Sequence, residues 1–376
     1  MRILILNYEF PPLGGGGGVA TYKLAKGFVE LGYEVDCITS QCGELKKFEV
    51  IDGINVYRAK VFGRKNLNVA SLISLLIYPI SGFFVGIKLC RKNRYEFINT
   101  HFVIPTGPLG LVLSKMFKIK NILSIHGGDI YDPTKKSSPH NYWFLRKINT
   151  FLLNRADIVV AQSTNTKENC LKFYKPENDI KIIPLPYEMV IFNKISREEL
   201  GLSKDKKYII GAGRLVKRKG FDFFIKALSL LDENIEGIII GDGPERNNLF
   251  KIATDLNVAD RLHLVGHISE GEKFQYLANS DIYVLSSVHE GFGIVLQEAM
   301  QVGLPIIATN SGGQVDFIRD GQNGYLIEFD DEKDLADKIK KICLNREICE
   351  KFSEFNKKEI YRFETKKICE DYLKLI

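Results

Sequence analysis

A chain of 376 residues with 45% hydrophobic and 26% charged side chains is longer than one compact core usually needs, so two domains are expected, and disordered or low-complexity classes are excluded. The net charge of +6 is diluted by 46 acidic residues, which argues against a nucleic-acid stripe and leaves anionic ligands or a membrane surface as partners. The cysteines at 37, 42, 90, 170, 343, 349 and 369 include no Cys-x-x-Cys pair, and their odd number fits reduced, mostly buried thiols in a reducing cytoplasm better than a disulfide framework.

In chain order, the first element is a strand. Met-Arg is followed at once by Ile3 to Leu6, too short a run for a signal peptide and without a cleavage-type site. Short Ile- and Val-rich runs then alternate with helical patterns, which is the signature of parallel strands joined by crossover helices. Strands are expected near 2–6, 34–39, 96–100, 120–125, 157–161 and 180–183, then near 207–212, 235–240, 261–265, 281–286, 304–308 and 323–327. The fold class is therefore α/β, with two doubly wound parallel-sheet domains over 1–187 and 188–358. Pro184-Leu-Pro186 and the polar stretch Asn193 to Asp205 place the linker near 184–195. The segment 344–376 lacks strand patterning and reads as helix.

Residues 66–87 carry no charge and are followed by Lys88, Arg91, Lys92 and Arg94, which is the outline of a membrane span. Asn66, Asn68, Ser71, Ser74, Pro79, Ser81 and two glycines within the stretch argue against a span. The segment is read instead as a helix buried in the α/β core or resting on a membrane surface.

In doubly wound sheets ligands sit beyond the carboxyl ends of the strands, which directs attention to five loops. Gly14 to Gly18 follow the first strand and open a helix expected from about Val19; such glycines admit a ligand close to the backbone and free helix amides for an anion, or simply form a turn. A dinucleotide site is disfavoured, because Val19 stands where Gly-x-Gly-x-x-Gly needs its last glycine and the second strand ends in Thr39-Ser40 without a ribose-binding carboxylate. His126-Gly127-Gly128-Asp129 places an imidazole at a strand end, either to bond a ligand hydroxyl or as a satisfied structural group. His101, after the preceding strand, is the weaker candidate.

The third loop, Gly211-Ala-Gly213-Arg214-Leu-Val-Lys-Arg-Lys219-Gly220, combines a planar guanidinium and a compact ammonium suited to the two phosphates of a diphosphate; Lys217 and Arg218 read as solvated. The fourth, Gly241-Asp-Gly-Pro-Glu245, is explained by a tight turn before a helix. In the fifth, Glu290-Gly291-Phe292-Gly293-Ile294-Val295-Leu-Gln-Glu298, a helix from about Phe292 would aim free amides at phosphate. Glu290 and Glu298 could each accept hydrogen bonds from a diol, one of a sugar and one of a ribose.

The Glu290-x7-Glu298 segment EGFGIVLQEAM, preceded by GRLVKRKG, GDGPE and VLSS, resembles glycosyltransferase family 4, and Gly17-Gly18, His126-Gly127 and Gly312-Gly313 with Asp316 extend the resemblance over nearly the whole chain. It implies the GT-B architecture, two Rossmann-like domains facing across a cleft, with a final helix (about 359–376) crossing back to the first domain. It further implies a retaining transfer from a nucleotide diphosphate sugar. Carried over residue by residue, it gives Glu290 and His126 to the donor sugar, Glu298 to the ribose, and Arg214 and Lys219 to the diphosphate. The donor site would also include Gly16, Gly17 and Gly18, Gly213 and the run Gly291 to Val295. Leu185-Pro186 stands where the family has Asn-Gly, a local departure.

The expected reaction builds negative charge on the departing diphosphate, stabilised by Arg214, Lys219 and helix amides, with the phosphate itself accepting the acceptor's proton. No Asp-x-Asp occurs, so no metal and no cofactor is expected, the UDP- or GDP-sugar being the substrate and a glycan, lipid-linked or other hydroxyl the acceptor. A nucleotide-sugar epimerase, a phosphorylase and a non-catalytic nucleotide-sugar binding module are the rival readings. The expected location is the cytoplasm, with peripheral contact at a membrane.

Overall fold

In the computed structural model, which describes residues 1–64, 67 and 70–376, the β-branched runs become two separate sheets. Asn66 and Asn68, at the start of the uncharged stretch, lie outside the described residues. The first unit comprises Met1–Glu188 together with Phe363–Ile376, and the second Met189–Arg362. The chain thus returns to the first unit at Phe363 rather than near 359.

The first unit runs β1 (Arg2–Leu6), α1 (Gly16–Glu30), β2 (Glu34–Ser40), β3 (Phe48–Ile51), β4 (Ile54–Ala59), α2 (Leu72–Lys92), β5 (Phe97–His101), α3 (Gly107–Phe117), β6 (Lys120–Ile125), α4 (Trp143–Arg155), β7 (Ile158–Ala161), α5 (Thr164–Tyr174) and β8 (Ile180–Ile182). The second runs β9 (Lys207–Ala212), α6 (Phe221–Ser229), β10 (Ile235–Ile240), α7 (Arg246–Asp255), β11 (Leu262–Gly266), α8 (Glu270–Ala278), β12 (Ile282–Leu285), α9 (Ile294–Val302), β13 (Ile306–Thr309), β14 (Gly324–Ile327), α10 (Glu332–Leu344) and α11 (Arg346–Glu359). The last helix, α12 (Thr365–Leu373), belongs to the first unit.

Strand order is β3-β4-β2-β1-β5-β6-β7-β8 in one sheet and β11-β10-β9-β12-β13-β14 in the other. All pairings are parallel except β3 with β4. Each sheet therefore has one point where the chain reverses its direction of winding, between β1 and β5 in the first and between β9 and β12 in the second. There the loops part and leave a crevice beyond the strand ends.

Successive strand residues face opposite layers. Ile3 and Ile5 of β1 pack with Phe28 of α1 and Ile368 of α12, whereas Leu4 and Leu6 pack with Tyr78 of α2 and Leu109 and Leu113 of α3. Phe28 is fully buried, edge-on to Phe97 and Tyr372, so truncating it to alanine is expected to cost ~3–5 kcal/mol. In the second unit Phe223, Phe224, Ile239, Val284 and Ile307 close the layer under α6, α10 and α11.

Three expectations are corrected. The β3–β4 hairpin was not anticipated, although Asp52-Gly53, with φ of +46° and +81°, is a two-residue turn of the kind that hairpins favour. Helix α1 begins at Gly16, not near Val19, so Gly16, Gly17 and Gly18 are its first turn. Within the uncharged stretch, residues 72–87 form most of α2, which is not buried in the core, the first of its two readings: Tyr78, Gly82, Gly86 and Leu89 face the fold while Leu72, Leu76, Ile80 and Phe84 face solvent.

Candidate active site

The loops after β9 and β12 meet at the second unit's reversal point. After β9 the backbone passes Gly213 and ends in a single turn over Lys217–Lys219, which brings Lys219 back across the strand ends. A β-carbon on Gly213, whose φ is +156°, would stand 3.3 Å from Lys219 Cε, so the glycine keeps the ammonium's path open. Lys219 Nζ donates to Glu290 Oε1, which also accepts from Ser287 Oγ at 2.7 Å, and Arg218 stands 3.8 Å from the second carboxylate oxygen. Burial alone would raise the Glu290 carboxyl's pKa; the charge and hydrogen bond of Lys219, the Ser287 hydroxyl and Arg218 outweigh it and hold the group below the usual carboxylate range.

Glu290 lies in the loop ahead of α9, and the helix starts at Ile294, two residues later than expected from Phe292, with Glu298 in its second turn. The residue before the helix, Gly293, offers no side-chain cap, so the first amides, those of Ile294 and Val295, have no partner within the helix. Glu298 is 8% exposed; its Oε1 accepts from Lys273 Nζ of α8 at 2.7 Å, and its Oε2 is buried without a partner among the described residues. Arg214 is exposed and forms no ion pair with any described residue. Gly291 and Phe292 link Glu290 to the helix, and Gly313 packs so closely on this turn that its amide bonds the Glu290 carbonyl at 2.7 Å.

The first unit's reversal point is built from neutral groups. Gly17, in the first turn of α1, faces Phe102 at the end of β5; a β-carbon there would come within 2.6 Å of the ring. Phe102 stacks on His126 at 4.4 Å between centroids. His126 Nε2 lies 2.9 Å from His101 Nδ1, and the outer nitrogens, His126 Nδ1 and His101 Nε2, are buried without a partner among the described residues. Burial drives the His126 pKa down to about 4, and burial and then His126 drive that of His101 well below its ordinary value. Both rings are therefore neutral near pH 7. One donates to the other, so the pair always presents one N–H and one lone pair, whichever tautomers are adopted.

Asp129 fixes the loop that carries His126, accepting from the His126 amide at 2.9 Å and the Val103 amide at 2.8 Å. Burial pushes its carboxyl up to about 6 despite these amides. No group of three or more His, Cys, Asp or Glu side chains among the described residues is placed to hold a metal ion.

The profile described as Glycosyltransferase Family 4 matches residues 14–188, and that of glycosyl transferases group 1 matches residues 192–359, so the two together take in both reversal points. The chain belongs to glycosyltransferase family 4. N-acetyl-alpha-D-glucosaminyl L-malate synthase of Bacillus anthracis is 27% identical over 99% of this glycosyltransferase and 96% of the relative's own length. Sucrose-phosphate synthase of Thermosynechococcus elongatus shares the fold with a TM-score of 0.85 at 20% identity, covering 100% and 98% of the two chains. Anabaena HepE, solved in complex with UDP, does so with a TM-score of 0.80 at 21% identity, covering 100% and 99%. Two Rossmann-like parallel-sheet domains make this the GT-B fold.

Within the second unit of the glycosyltransferase, Gly213, Lys219, Glu290 and Gly291 come together, whereas Glu298 is held separately by Lys273 and Arg214 makes no contact with either carboxylate. Within the first, Gly17 and His126 meet through Phe102, while Gly16 and Gly18 stand on either side of that contact in the same helical turn. His101, set aside in favour of a structural role, is bonded to His126, and Arg218, read as solvated, faces Glu290. Lys273 and Ser287 were not anticipated. Lys273 sits on an otherwise ordinary amphipathic helix with no motif, so only the tertiary fold reveals it.

Proposed function

We propose that this glycosyltransferase moves a hexose from a UDP- or GDP-linked donor to a hydroxyl acceptor, with retention of anomeric configuration and without a metal or cofactor. The observation that carries the reading is the contact of Lys219 with Glu290 across the β9/β12 reversal point, beside the uncapped start of α9 and an unpaired Arg214. A diphosphate entering there would draw Lys219 from Glu290 toward its own charge. Glu290 would then be free to accept hydrogen bonds from donor-sugar hydroxyls, and Glu298 would take a ribose hydroxyl, a role that its unsatisfied Oε2 supports. As the sugar–phosphate bond breaks, Lys219, Arg214 and the Ile294 and Val295 amides would stabilise the charge on the leaving diphosphate. The leaving phosphate oxygen is the base this arrangement offers for the acceptor's proton. His126 would bond the donor sugar as a neutral group.

The acceptor is read as a glycan or a lipid-linked or other hydroxyl, since the Bacillus relative is named for glycosylating a small hydroxy acid and the family thus admits varied acceptors. The reaction is placed in the cytoplasm, with peripheral contact at the membrane.

A panel of UDP- and GDP-sugars screened by thermal shift tests the donor site, since a ligand bound to the folded state raises Tm. The expected donor raises Tm of the wild type and much less that of Arg214→Ala, an exposed site whose loss leaves the free protein as stable as before. Equal stabilisation of both proteins would remove the diphosphate from this loop. Incubating donor alone separates a transferase, which gives at most slow hydrolysis, from an epimerase, which gives the epimeric nucleotide sugar. The anomeric coupling of the product reads out retention.

A further inference from the structure

The sheet of the first unit carries α2, α3, α4 and α5 side by side on the face opposite α1 and α12. Gly82 and Gly86 of α2 lie against Leu109 and Leu113 of α3, Gly107 of α3 against Leu152 of α4, and Thr150 of α4 bonds the Tyr174 carbonyl of α5. The outer surface of this layer is unusual in two respects. Leu72, Leu76, Ile80 and Phe84 recur at every fourth position of α2, and each is between 64% and 73% exposed. On α4, Trp143 and Phe151 are likewise exposed, Trp143 at 67%. Large apolar side chains aligned in this way are costly in water and mark a surface that is covered in use.

Charge selects the cover. The four helices carry nine Lys and Arg residues and a single acidic residue, Glu168, in a chain whose net charge is only +6. Lys88, Arg91 and Lys92 close α2 and form no ion pair with any described residue. On α4, Lys147 lies over the Trp143 ring at 5.0 Å and Arg155 over Phe151 at 5.5 Å. Beside the end of the α2 stripe, a cavity of about 600 Å³ is lined by Phe84, Leu89, Lys88 and Lys92 together with Lys47 and Tyr57 from the sheet edge, so that a pocket roomy enough for a phosphate headgroup is walled by three lysines. A second copy of the chain would bring the same positive charge to the contact, and a nucleic acid would leave the leucine stripe in water.

We infer that this face seats the enzyme on an anionic lipid bilayer, the α2 and α4 apolar side chains entering the boundary between headgroups and acyl chains while the lysines and arginines, with the cavity at the end of α2, meet lipid phosphates. Helix α2 is long and apolar enough to cross a membrane by length and composition alone. Its bonds to the fold keep it lying flat: Tyr78 Oη donates to the Ile38 carbonyl at 2.8 Å, and Ser74 Oγ pairs with Tyr8 Oη at 2.7 Å. The inference deepens the membrane contact proposed above by naming the face and the lipid charge, and it stands whether or not the donor assignment does.

Co-sedimentation of the full-length protein with vesicles tests it. Vesicles of equal parts phosphatidylglycerol and phosphatidylcholine are expected to bind the wild type at least tenfold more tightly than phosphatidylcholine alone, and free glycerol phosphate is expected not to compete. Ile80→Glu/Phe84→Glu and, separately, Lys88→Glu/Lys92→Glu are each expected to weaken binding to the anionic vesicles at least tenfold while Tm and hydrolysis of donor in solution stay as in the wild type. Equal binding to both vesicle types, or unchanged binding of both variants, overturns the inference. A shift of Ile80→Glu/Phe84→Glu from dimer to monomer, with no vesicle binding by either protein, assigns the face to a second copy, and retention on RNA in place of vesicles also overturns it.

Discussion

The two reversal points occupy equivalent places in two similar sheets, yet one is built mainly from charge and the other, apart from the Asp129 carboxylate that ties its loop, from neutral rings and glycines. In the second unit Lys219, Arg218 and a carboxylate converge ahead of an uncapped helix start, and the Glu290 carboxyl is held ionised by Lys219 even though it is buried. In the first unit the equivalent position holds two neutral imidazoles, a phenylalanine and glycines, with burial driving both histidines away from protonation. The difference teaches how equivalent places in similar scaffolds come to suit different partners: an anion needs compensating charge that can be rearranged, whereas a neutral hydroxyl needs a fixed donor and acceptor that do not attract counter-ions.

The comparison is broken most directly at Lys219. Lys219→Ala is expected to lower turnover by ~10²–10³-fold, the loss typical of removing one group that stabilises a developing oxyanion, measured as product formed per enzyme at saturating donor. Because it also strands a buried carboxylate, Tm should fall. The double variant Lys219→Ala/Glu290→Gln is expected to recover Tm but not turnover, and recovery of both would strip Lys219 of its chemical role.

The first unit's neutrality is sharpened by acid. His126 has a folded pKa of about 4, below the ordinary value of 6.5, so between those limits the unfolded chain binds the extra proton. Stability contributed by this group is present above pH 6.5 and is lost as pH falls toward 4, by ~3 kcal/mol in all at ~1.4 kcal/mol per unit. Thermal unfolding followed from pH 7 to pH 4 should show a shallower loss in His126→Gln than in the wild type, the remainder coming from His101, whose pKa is lowered too, against the opposing contribution of Asp129, whose carboxyl is raised to about 6; identical pH profiles of the two proteins would mean that the His126 imidazole is already protonated or reaches water.

Smaller effects separate positioning from bystander charge in the second unit. Lys273→Ala leaves Glu298 without its hydrogen-bonded partner and is expected to raise the donor KM about tenfold with little change in kcat, since the lost interaction of ~1–2 kcal/mol acts on binding before any bond breaks. Lys217, exposed on the same turn as Lys219, should tolerate alanine with less than about a twofold change in kcat/KM, and a large loss there would show that the charge cluster is broader than the ion pairs indicate.

Much of this molecule was legible in order along the chain. The parallel strands could be read because a strand covered on both faces needs an unbroken run without polar side chains, and Ile209 to Ala212 or Ile238 to Ile240 supply one. The β3–β4 hairpin escaped because Phe48 and Val50 lie exposed at a sheet edge, where no such run is needed; its Asp52-Gly53 turn was nonetheless there to be read. Loop positions were legible for Lys219, Glu290 and Glu298, because glycines beside charged residues just after a strand mark the loops at a sheet's carboxyl end, and the fold sets Lys219 and Glu290 together there. Lys273 and the bond between His101 and His126 were not, because each joins residues that are unremarkable in their own segments and become partners only when the sheet order sets β5 beside β6 and packing sets α8 beside α9.

The sequence by itself therefore determined the class of fold, the positions of the glycine-bearing loops after the strands and the family, since these depend on local periodicity and on residue types fixed at short spacing. Tertiary structure alone decided which cation neutralises which carboxylate, which imidazoles stay neutral, and which side of α2 faces water. Those outcomes depend on burial and on distances of a few ångströms between segments far apart in the chain, and electrostatic and hydrophobic energies change steeply over such distances.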